Sequence, residues 1–288
     1  MFVLQAPAKV NLTLEVLARR ADGYHGMRSL MVPLDLADEL AIEPSDQFSF
    51  KCTRRELEDE RNLAVAALRA LGELPRVRVE LRKRIPVQAG LGGGSSDAAA
   101  ILRAAMAGAF GPAGTHDWMR VARALGSDVP FFLTGTAALV EGTGERVTPA
   151  GTLPPWYVAI VKPPVDVSTA LAYRMLDELD RPTRPRGDSV SIAALEALQR
   201  ADFERVESLL QNDFHDVTLS RTPEVRAAVD ALRAAGARNA LLAGSGSSVF
   251  SLERDRAKAD AIVAALPLDD SYERFATAFA ATPDWRSS

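Results

Sequence analysis

The sequence has a single cysteine, Cys52, so no intramolecular disulfide can form and a thiol-reducing compartment is the natural setting. Three scattered histidines beside that one cysteine are too few for a structural zinc site. No run approaches the ~20 apolar residues that cross a bilayer. The first residues, MFVLQAPAKVNL, lack the basic start and long apolar core of a secretory leader. The expectation is a soluble, cytoplasmic protein with no membrane partner. A dominant charge is missing too: a formal net charge of −4 leaves no basic field, so no nucleic-acid partner is expected. Lysine is scarce. Of 34 basic residues only Lys9, Lys51, Lys83, Lys162 and Lys258 are lysines, so each calls for a reason more than any single arginine does.

What is present suits a globular chain: 288 residues, 47% apolar and 25% charged, enough for one large domain or two ordinary ones. Residues 8–17 (AKVNLTLEVL) alternate, with Val10, Leu12, Leu14 and Val16 on one face and Lys9, Asn11, Thr13 and Glu15 on the other. The pattern predicts a strand that buries the first set and presents a polar row. Further strands are predicted over 29–43, 48–53 and 76–85, a hairpin over 136–147, and helices over 62–71, 96–109 and 117–125. Residues 148–155 (TPAGTLPP) cluster Pro and Gly without apolar periodicity and are the best linker. Beyond them, strands are predicted at 156–161, 239–242, 249–252 and 272–277, and helices at 168–179, 191–199, 202–210, 223–235 and 255–265. The stretch 181–188 (RPTRPRGD) reads as a mobile surface loop. The fold class is α+β in two domains, 1–152 and 153–288.

The strongest local signal is residues 86–100, PVQAGLGGGSSDAAA. Gly90, Gly92, Gly93 and Gly94 let backbone N–H groups approach phosphate oxygens, and Ser95 and Ser96 are placed to cap the helix that follows. Asp97 reads as an ordinary helix-start residue. No lysine follows the glycines, which excludes a Walker A loop. The loop's late position behind a Pro-interrupted strand speaks against a Rossmann dinucleotide site. Phosphoryl transfer also needs a cation and a group that orients or deprotonates the attacking hydroxyl. Lys9, at the head of the polar row, and Asp128, in the turn Gly126-Ser127-Asp128-Val129-Pro130, are the candidates. On local grounds a solvated edge-strand lysine and an ordinary turn aspartate remain the alternatives.

Together these segments resemble the GHMP small-molecule kinases, which include galactokinase, homoserine kinase and mevalonate kinase. The resemblance spans nearly the whole chain. It rests on Ala6–Leu12 (APAKVNL), Arg20–His25 (RADGYH), Pro86–Ala100, Gly126–Pro130, Gly142–Glu145 (GTGE), Asn212-Asp213-Phe214 and Gly244–Phe250 (GSGSSVF). DGYH beside PAKVNL points to the branch of that family acting on diphosphocytidyl-methylerythritol. Gln88 and the pair Ser247-Ser248 depart slightly from the pattern, and neither removes a donor that the chemistry needs. The resemblance implies an N-terminal ribosomal-protein-like α+β domain, a C-terminal ferredoxin-like α/β domain, and a substrate cleft between them.

It further implies ATP-dependent phosphorylation of the C2 hydroxyl of the methylerythritol moiety, with Mg2+, giving the 2-phosphate and ADP in non-mevalonate isoprenoid precursor biosynthesis. Lys9 and Asp128 would be catalytic. ATP would be held by the loop Pro86, Val87, Gln88, Ala89, Gly90, Leu91, Gly92, Gly93, Gly94, Ser95 and Ser96, with Asn62 and Lys83 near the adenosine. Asn11, Tyr24, His25, Thr169 and Tyr173 would bind substrate, His25 reading the cytosine edge and the two tyrosines stacking on its faces. Core packing is the alternative for Tyr173. The motifs leave the metal ligands unknown, with the Ser96 hydroxyl as one candidate, and they fit a monomer or a homodimer. Lys162 receives no role, and His116 and His215 read as surface or capping residues. Another GHMP kinase of homoserine or mevalonate type, and a non-catalytic nucleotide-binding homologue, stay open as alternatives.

Overall fold

The alternation at the N-terminus does make a strand, and it continues well past the predicted ends. In the computed structural model, which describes residues 1–21, 23–111, 116–179 and 189–280, β1 (Phe2–Arg19) pairs antiparallel with β2 (His25–Pro44). Next come β3 (Ser49–Cys52), a 3-10 turn (Arg55–Leu57), α1 (Leu63–Ala70), β4 (Val77–Arg82), α2 (Gly93–Met106), α3 (Trp118–Leu125), α4 (Val129–Thr134) and the hairpin β5 (Ala138–Gly142) and β6 (Arg146–Pro149). The second half adds β7 (Tyr157–Lys162), α5 (Thr169–Asp177), α6 (Val190–Gln199), α7 (Phe203–Ser208), β8 (Gln211–Asn212), α8 (His215–Arg221) and α9 (Pro223–Ala234). It ends with β9 (Leu241–Leu242), β10 (Val249–Glu253), α10 (Arg256–Ala264) and β11 (Glu273–Ala278). Asp22 and the segment 181–188 lie outside the described residues.

Two sheets result. The first has seven strands in the order β3-β4-β2-β1-β8, with β5 and β6 attached along the first part of β2. The second is the four-stranded antiparallel sheet β11-β7-β10-β9. Taken in chain order within that sheet, the strands run fourth, first, third, second, which is the ferredoxin-like arrangement. A cut near residue 152 falls between β6 and β7, yet β8 returns to the first sheet and pairs Gln211 and Asn212 with Thr13 and Leu14. One apolar cluster holds Leu12 and Leu34 from the first sheet together with Val158, Phe250 and Phe279 from the second region.

Several expected boundaries move for identifiable reasons. The predicted linker 148–155 loses its first residues to the hairpin, since β6 runs to Pro149 and Ala150 N donates to Ala137 O at 2.7 Å. Helix α2 begins at Gly93, with Gly92 as its N-cap residue in the left-handed region. Ser95 and Ser96 therefore sit inside the first turn and do not cap it. Low helix propensity discouraged placing the glycines in a helix, and packing overrides it. Residues Ser96–Ala105 of α2 are all buried, and their alanines let the sheet and α1, α3 and α4 approach closely. The short helices α4 and α8 have too few residues to show a period. Among the described residues no helix is long and apolar enough to cross a membrane.

The polar row of β1 is not solvated. Lys9, Asn11, Thr13 and Glu15 are as buried as Val10 and Leu12, because β1 is an interior strand covered on both faces. Register shifts between Pro7 and Lys9 and between Asn11 and Thr13 flank Lys9 and Asn11, and such bulges re-aim side chains. Leu12 lies wholly inside the shared cluster. Leu12→Ala is expected to lower unfolding stability by about 2–5 kcal/mol, measured as a reduced urea midpoint with an unchanged m-value.

Candidate active site

Two glycine turns, far apart in sequence, meet beside the middle of β1, at Lys9 and Asn11. Gly90 has φ +75°, and a Cβ there would lie 1.9 Å from the Ala243 carbonyl oxygen, so only glycine permits this approach. Ser248 N donates to Ala89 O at 3.1 Å, and Lys9 N donates to Leu91 O at 3.0 Å, which ties the loop to the second turn and to β1. The second turn is held from β8: Asn212 Nδ2 donates to Leu242 O and Gly244 O, each at 2.7 Å, while its Oδ1 accepts from Phe214 N. The first-turn N–H groups of α2 have no intrahelical acceptor, and the helix dipole is positive there, so this end attracts an anion.

Beneath the loop lies an ion cluster. Lys83 Nζ donates to Asp97 Oδ2 at 2.8 Å and also to Asp38, whose Oδ1 accepts from Arg84 N at 2.6 Å and Ile85 N at 2.8 Å. The cluster thus fastens the entry to the glycine loop onto α2 at Asp97. Burial pushes the Asp97 carboxyl up, opposed by Lys83. Burial also works against the Lys83 ammonium, but the Asp97 and Asp38 charges outweigh it and raise its pKa. Asp97 is therefore a buried structural partner and more than a helix-start residue.

A cleft of about 880 Å³ opens beside the two turns. Of the sequence-derived candidates it brings together Lys9, Asn11, Tyr24, His25, Gln88, Gly90, Gly92, Asp128, Thr169 and Tyr173. Asn62 and Lys83 do not line it. Asn62 caps α1, its Oδ1 accepting from Ala64 N and its Nδ2 donating to Leu57 O, both at 3.0 Å. The remaining loop residues Pro86, Val87, Ala89, Leu91, Gly93, Gly94, Ser95 and Ser96 shape the cradle without facing this cavity. Ser96 is fully buried and its hydroxyl has no partner.

Within the cleft, Lys9 Nζ donates to Asn11 Oδ1 at 2.7 Å and stands 3.5 Å from Asp128 Oδ2. Asn11 Nδ2 donates to Ser29 Oγ at 2.7 Å, and Ser29 Oγ donates to Thr13 O at 2.6 Å, so the amide is fixed by its neighbours. Asp128 occupies the N-cap position of α4, yet its carboxylate caps nothing there and is 24% exposed to the cleft. The turn Gly142–Glu145 packs on its backbone: a Cβ at Gly144 would meet Ser127 O at 2.2 Å. A buried ammonium beside a partly open carboxylate can neutralise charge forming on an acceptor oxygen.

The far wall carries the aromatic candidates. The His25 and Tyr173 rings stack with centroids 5.6 Å apart, and Tyr173 meets Phe214 edge-on at 4.9 Å. Tyr24 is 70% exposed. Thr169 Oγ1 lies 2.9 Å from Ser245 Oγ. Sequence reasoning missed Arg19, Ser127, Arg174, Asp177, Gly244 and Ser245, which also line the cleft. Ser127, Gly244 and Ser245 belonged to recognised motifs but carried no assigned role, whereas Arg19, Arg174 and Asp177 have no local signature.

Two family models match the chain: GHMP kinases N terminal domain over residues 62–136 and GHMP kinases C terminal over residues 194–269. A 4-diphosphocytidyl-2-C-methyl-D-erythritol kinase of Deinococcus radiodurans is 43% identical, with 91% of this chain and 87% of the relative covered. The chain belongs to the GHMP kinase family. A second kinase of the same name, from Symbiobacterium thermophilum, is 41% identical over 88% of this GHMP kinase and 91% of its own length. The crystal structure of a 4-(cytidine 5'-diphospho)-2C-methyl-D-erythritol kinase superposes with a TM-score of 0.79 at 39% identity, covering 96% of this chain and 99% of that one. The mevalonate kinase of L. major, at 18% identity and a TM-score of 0.67 over 98% of this chain and 97% of its own, shares the fold.

Tyr173 gives this GHMP kinase a pH signature. Burial, with the Asp128 charge, pushes its phenol up to about 12. An acid whose folded pKa is raised adds stability that is complete below the unfolded value near 10 and is lost as pH rises through the folded value. Between about pH 10 and 12 the wild type should lose stability faster than Tyr173→Phe, as read by urea midpoints across that range. Equal pH slopes for the two proteins would contradict this environment for Tyr173.

Proposed function

We propose that this kinase transfers the γ-phosphoryl group of ATP to the C2 hydroxyl of 4-diphosphocytidyl-2-C-methyl-D-erythritol, giving the 2-phosphate and ADP in non-mevalonate isoprenoid precursor biosynthesis. The observation that carries the proposal is the Lys9–Asp128 pair at 3.5 Å, sharing one cleft with the glycine loop and with His25, Tyr24 and Tyr173. The kinases named above, similar over nearly the whole chain, support the choice of acceptor.

In this mechanism the phosphates lie against the glycine loop and the N-terminus of α2. Asp128 accepts or orients the proton of the attacking hydroxyl, and Lys9 balances charge on the carboxylate and the nucleophile. Asn11 fixes the Lys9 ammonium. Arg19 and Arg174, on the wall of the cleft, supply positive charge for the substrate diphosphate. Tyr24 and Tyr173 offer aromatic faces for the pyrimidine, His25 a hydrogen-bonding edge and Thr169 the border of that pocket. Among the described residues no group of three His, Cys, Asp or Glu side chains converges on a metal-sized site. Magnesium would be carried on the nucleotide's phosphates. Magnesium, when bound, neutralises phosphate charge.

ADP release with Mg·ATP should be fast with diphosphocytidyl-methylerythritol and near background with homoserine or mevalonate. Faster turnover of either other alcohol would sink the assignment. Asp128→Asn should lower kcat by at least about 100-fold while retaining nucleotide affinity. An unchanged kcat would remove Asp128 from the proton's path.

A further inference from the structure

Lys162 has no part in the motifs or in the proposed reaction, yet it is only 6% exposed at the end of β7, an interior strand of the second sheet. A buried ammonium is tolerated only where its donors are met. Its three N–H groups have three acceptors: Nζ donates to Pro163 O at 2.8 Å, to Val165 O at 3.0 Å and to Asp166 Oδ1 at 3.2 Å. Two of these are backbone carbonyls, and the Asp166 side chain is 58% exposed. The lysine therefore acts mainly on the shape of the segment 163–168, which joins β7 to α5.

Val165 O accepts a second time, from Ser247 Oγ, and Ser247 is fully buried in the second glycine turn. A carbonyl oxygen has two lone pairs, so Lys162 and Ser247 together fill it. Thr169 Oγ1 and Ser245 Oγ, 2.9 Å apart, tie the same two segments again. On one side of this junction Val167, Thr169, Tyr173 and Arg174 line the cleft. On the other, Gly244 reaches the catalytic end: a Cβ there would lie 2.9 Å from Gly90 O and 3.1 Å from Lys9 Nζ. We propose that Lys162 is a positioning residue. By holding Val165 O for Ser247, it sets the α5 wall, where the acceptor alcohol binds, against the turn that borders Lys9 and the phosphate cradle. The inference rests on the proposed function above for what that wall binds, while the junction itself stands on the geometry.

Lysine suits the place, because a tetrahedral ammonium aims three donors in separate directions whereas a guanidinium holds its donors in one plane. Methionine keeps the unbranched stem and donates nothing, so Lys162→Met leaves Ser247 to hold Val165 O alone. Asn212 still grips the second turn through Leu242 O and Gly244 O. The glycine loop should therefore keep its place while the α5 wall loosens, and the loss should fall on the acceptor rather than on ATP.

Two measurements on the full chain test this, with wild type beside Lys162→Met and Ser247→Ala. The first is hydrogen exchange without ligand, well below the melting temperature. In Lys162→Met, amides across 163–169 and 244–248 should exchange about tenfold faster or more, with α1 and β4 unchanged. The second is steady-state kinetics. The KM for diphosphocytidyl-methylerythritol should rise about tenfold in Lys162→Met, and the KM for ATP should stay within about twofold. Ser247→Ala should move the same KM in the same direction, and it decides the matter if Lys162→Met does not fold. A lysine that only stabilises the fold predicts a different pattern: a smaller active fraction, a lower kcat and both KM values unchanged. That pattern, equal rises in both KM values, or wild-type exchange across 244–248 would overturn the proposal. A wild type inactive on the cytidylyl alcohol would retire the assigned reaction, and exchange alone would then decide the junction.

Discussion

Everything at this site depends on one constraint: a strand covered on both faces carries a row of polar side chains, and each must find a partner away from water. Unpaired, a buried polar group costs roughly 1–3 kcal/mol and a charge considerably more. The partners are recruited from across the molecule. Lys9 is met by Asn11 and Asp128, and Asn11 by Ser29. Thr13 donates to Ser191, and Glu15 accepts from Ser189 and from the Ser191 backbone. The catalytic candidates are thus one end of a continuous network whose other end is the start of α6. Satisfying the row fixes where α6, the Asp128 turn and β2 can stand relative to β1.

The glycine loop shows the same economy. Its approach to Ala243 and its bond to Lys9 N make the phosphate cradle an integral part of the packing between the two sheets. The Asp38–Lys83–Asp97 cluster holds it from below. That arrangement is rigid for an electrostatic reason. Removing Lys83 would leave two buried carboxylates without their shared counter-charge.

Much of this was legible in the sequence where the signal is local. The alternation at Val10–Val16 named β1, the glycine run named an anion cradle, and the motifs around Lys9, Tyr24-His25 and Asp128 named the residues that do share a cleft. What was not legible depended on which surfaces become covered. A period of two does not say whether the second face meets water or protein, so a solvated edge-strand lysine stayed open as the alternative for Lys9. The resemblance places Lys83 near the adenosine, and no local motif announces its two carboxylate partners, 45 and 14 positions away. Asp177 contacts His25 across 152 positions, with no motif around it. Short helices such as α4 and α8 present too few turns for periodicity to register.

The separation of partners along the chain has a consequence for how the protein is made. β1 leaves the ribosome well before its partners: Thr13 and Ser191 are 178 positions apart and Glu15 and Ser189 are 174 apart. At synthesis rates of about 5–20 residues per second, the strand waits on the order of ten seconds or more for the groups that complete it. During that interval its apolar face is available for burial while Thr13 and Glu15 lack their Ser191 and Ser189 partners. The nascent N-terminal half is therefore the stage at which this fold most needs protection from association, and completing the chain is what releases it.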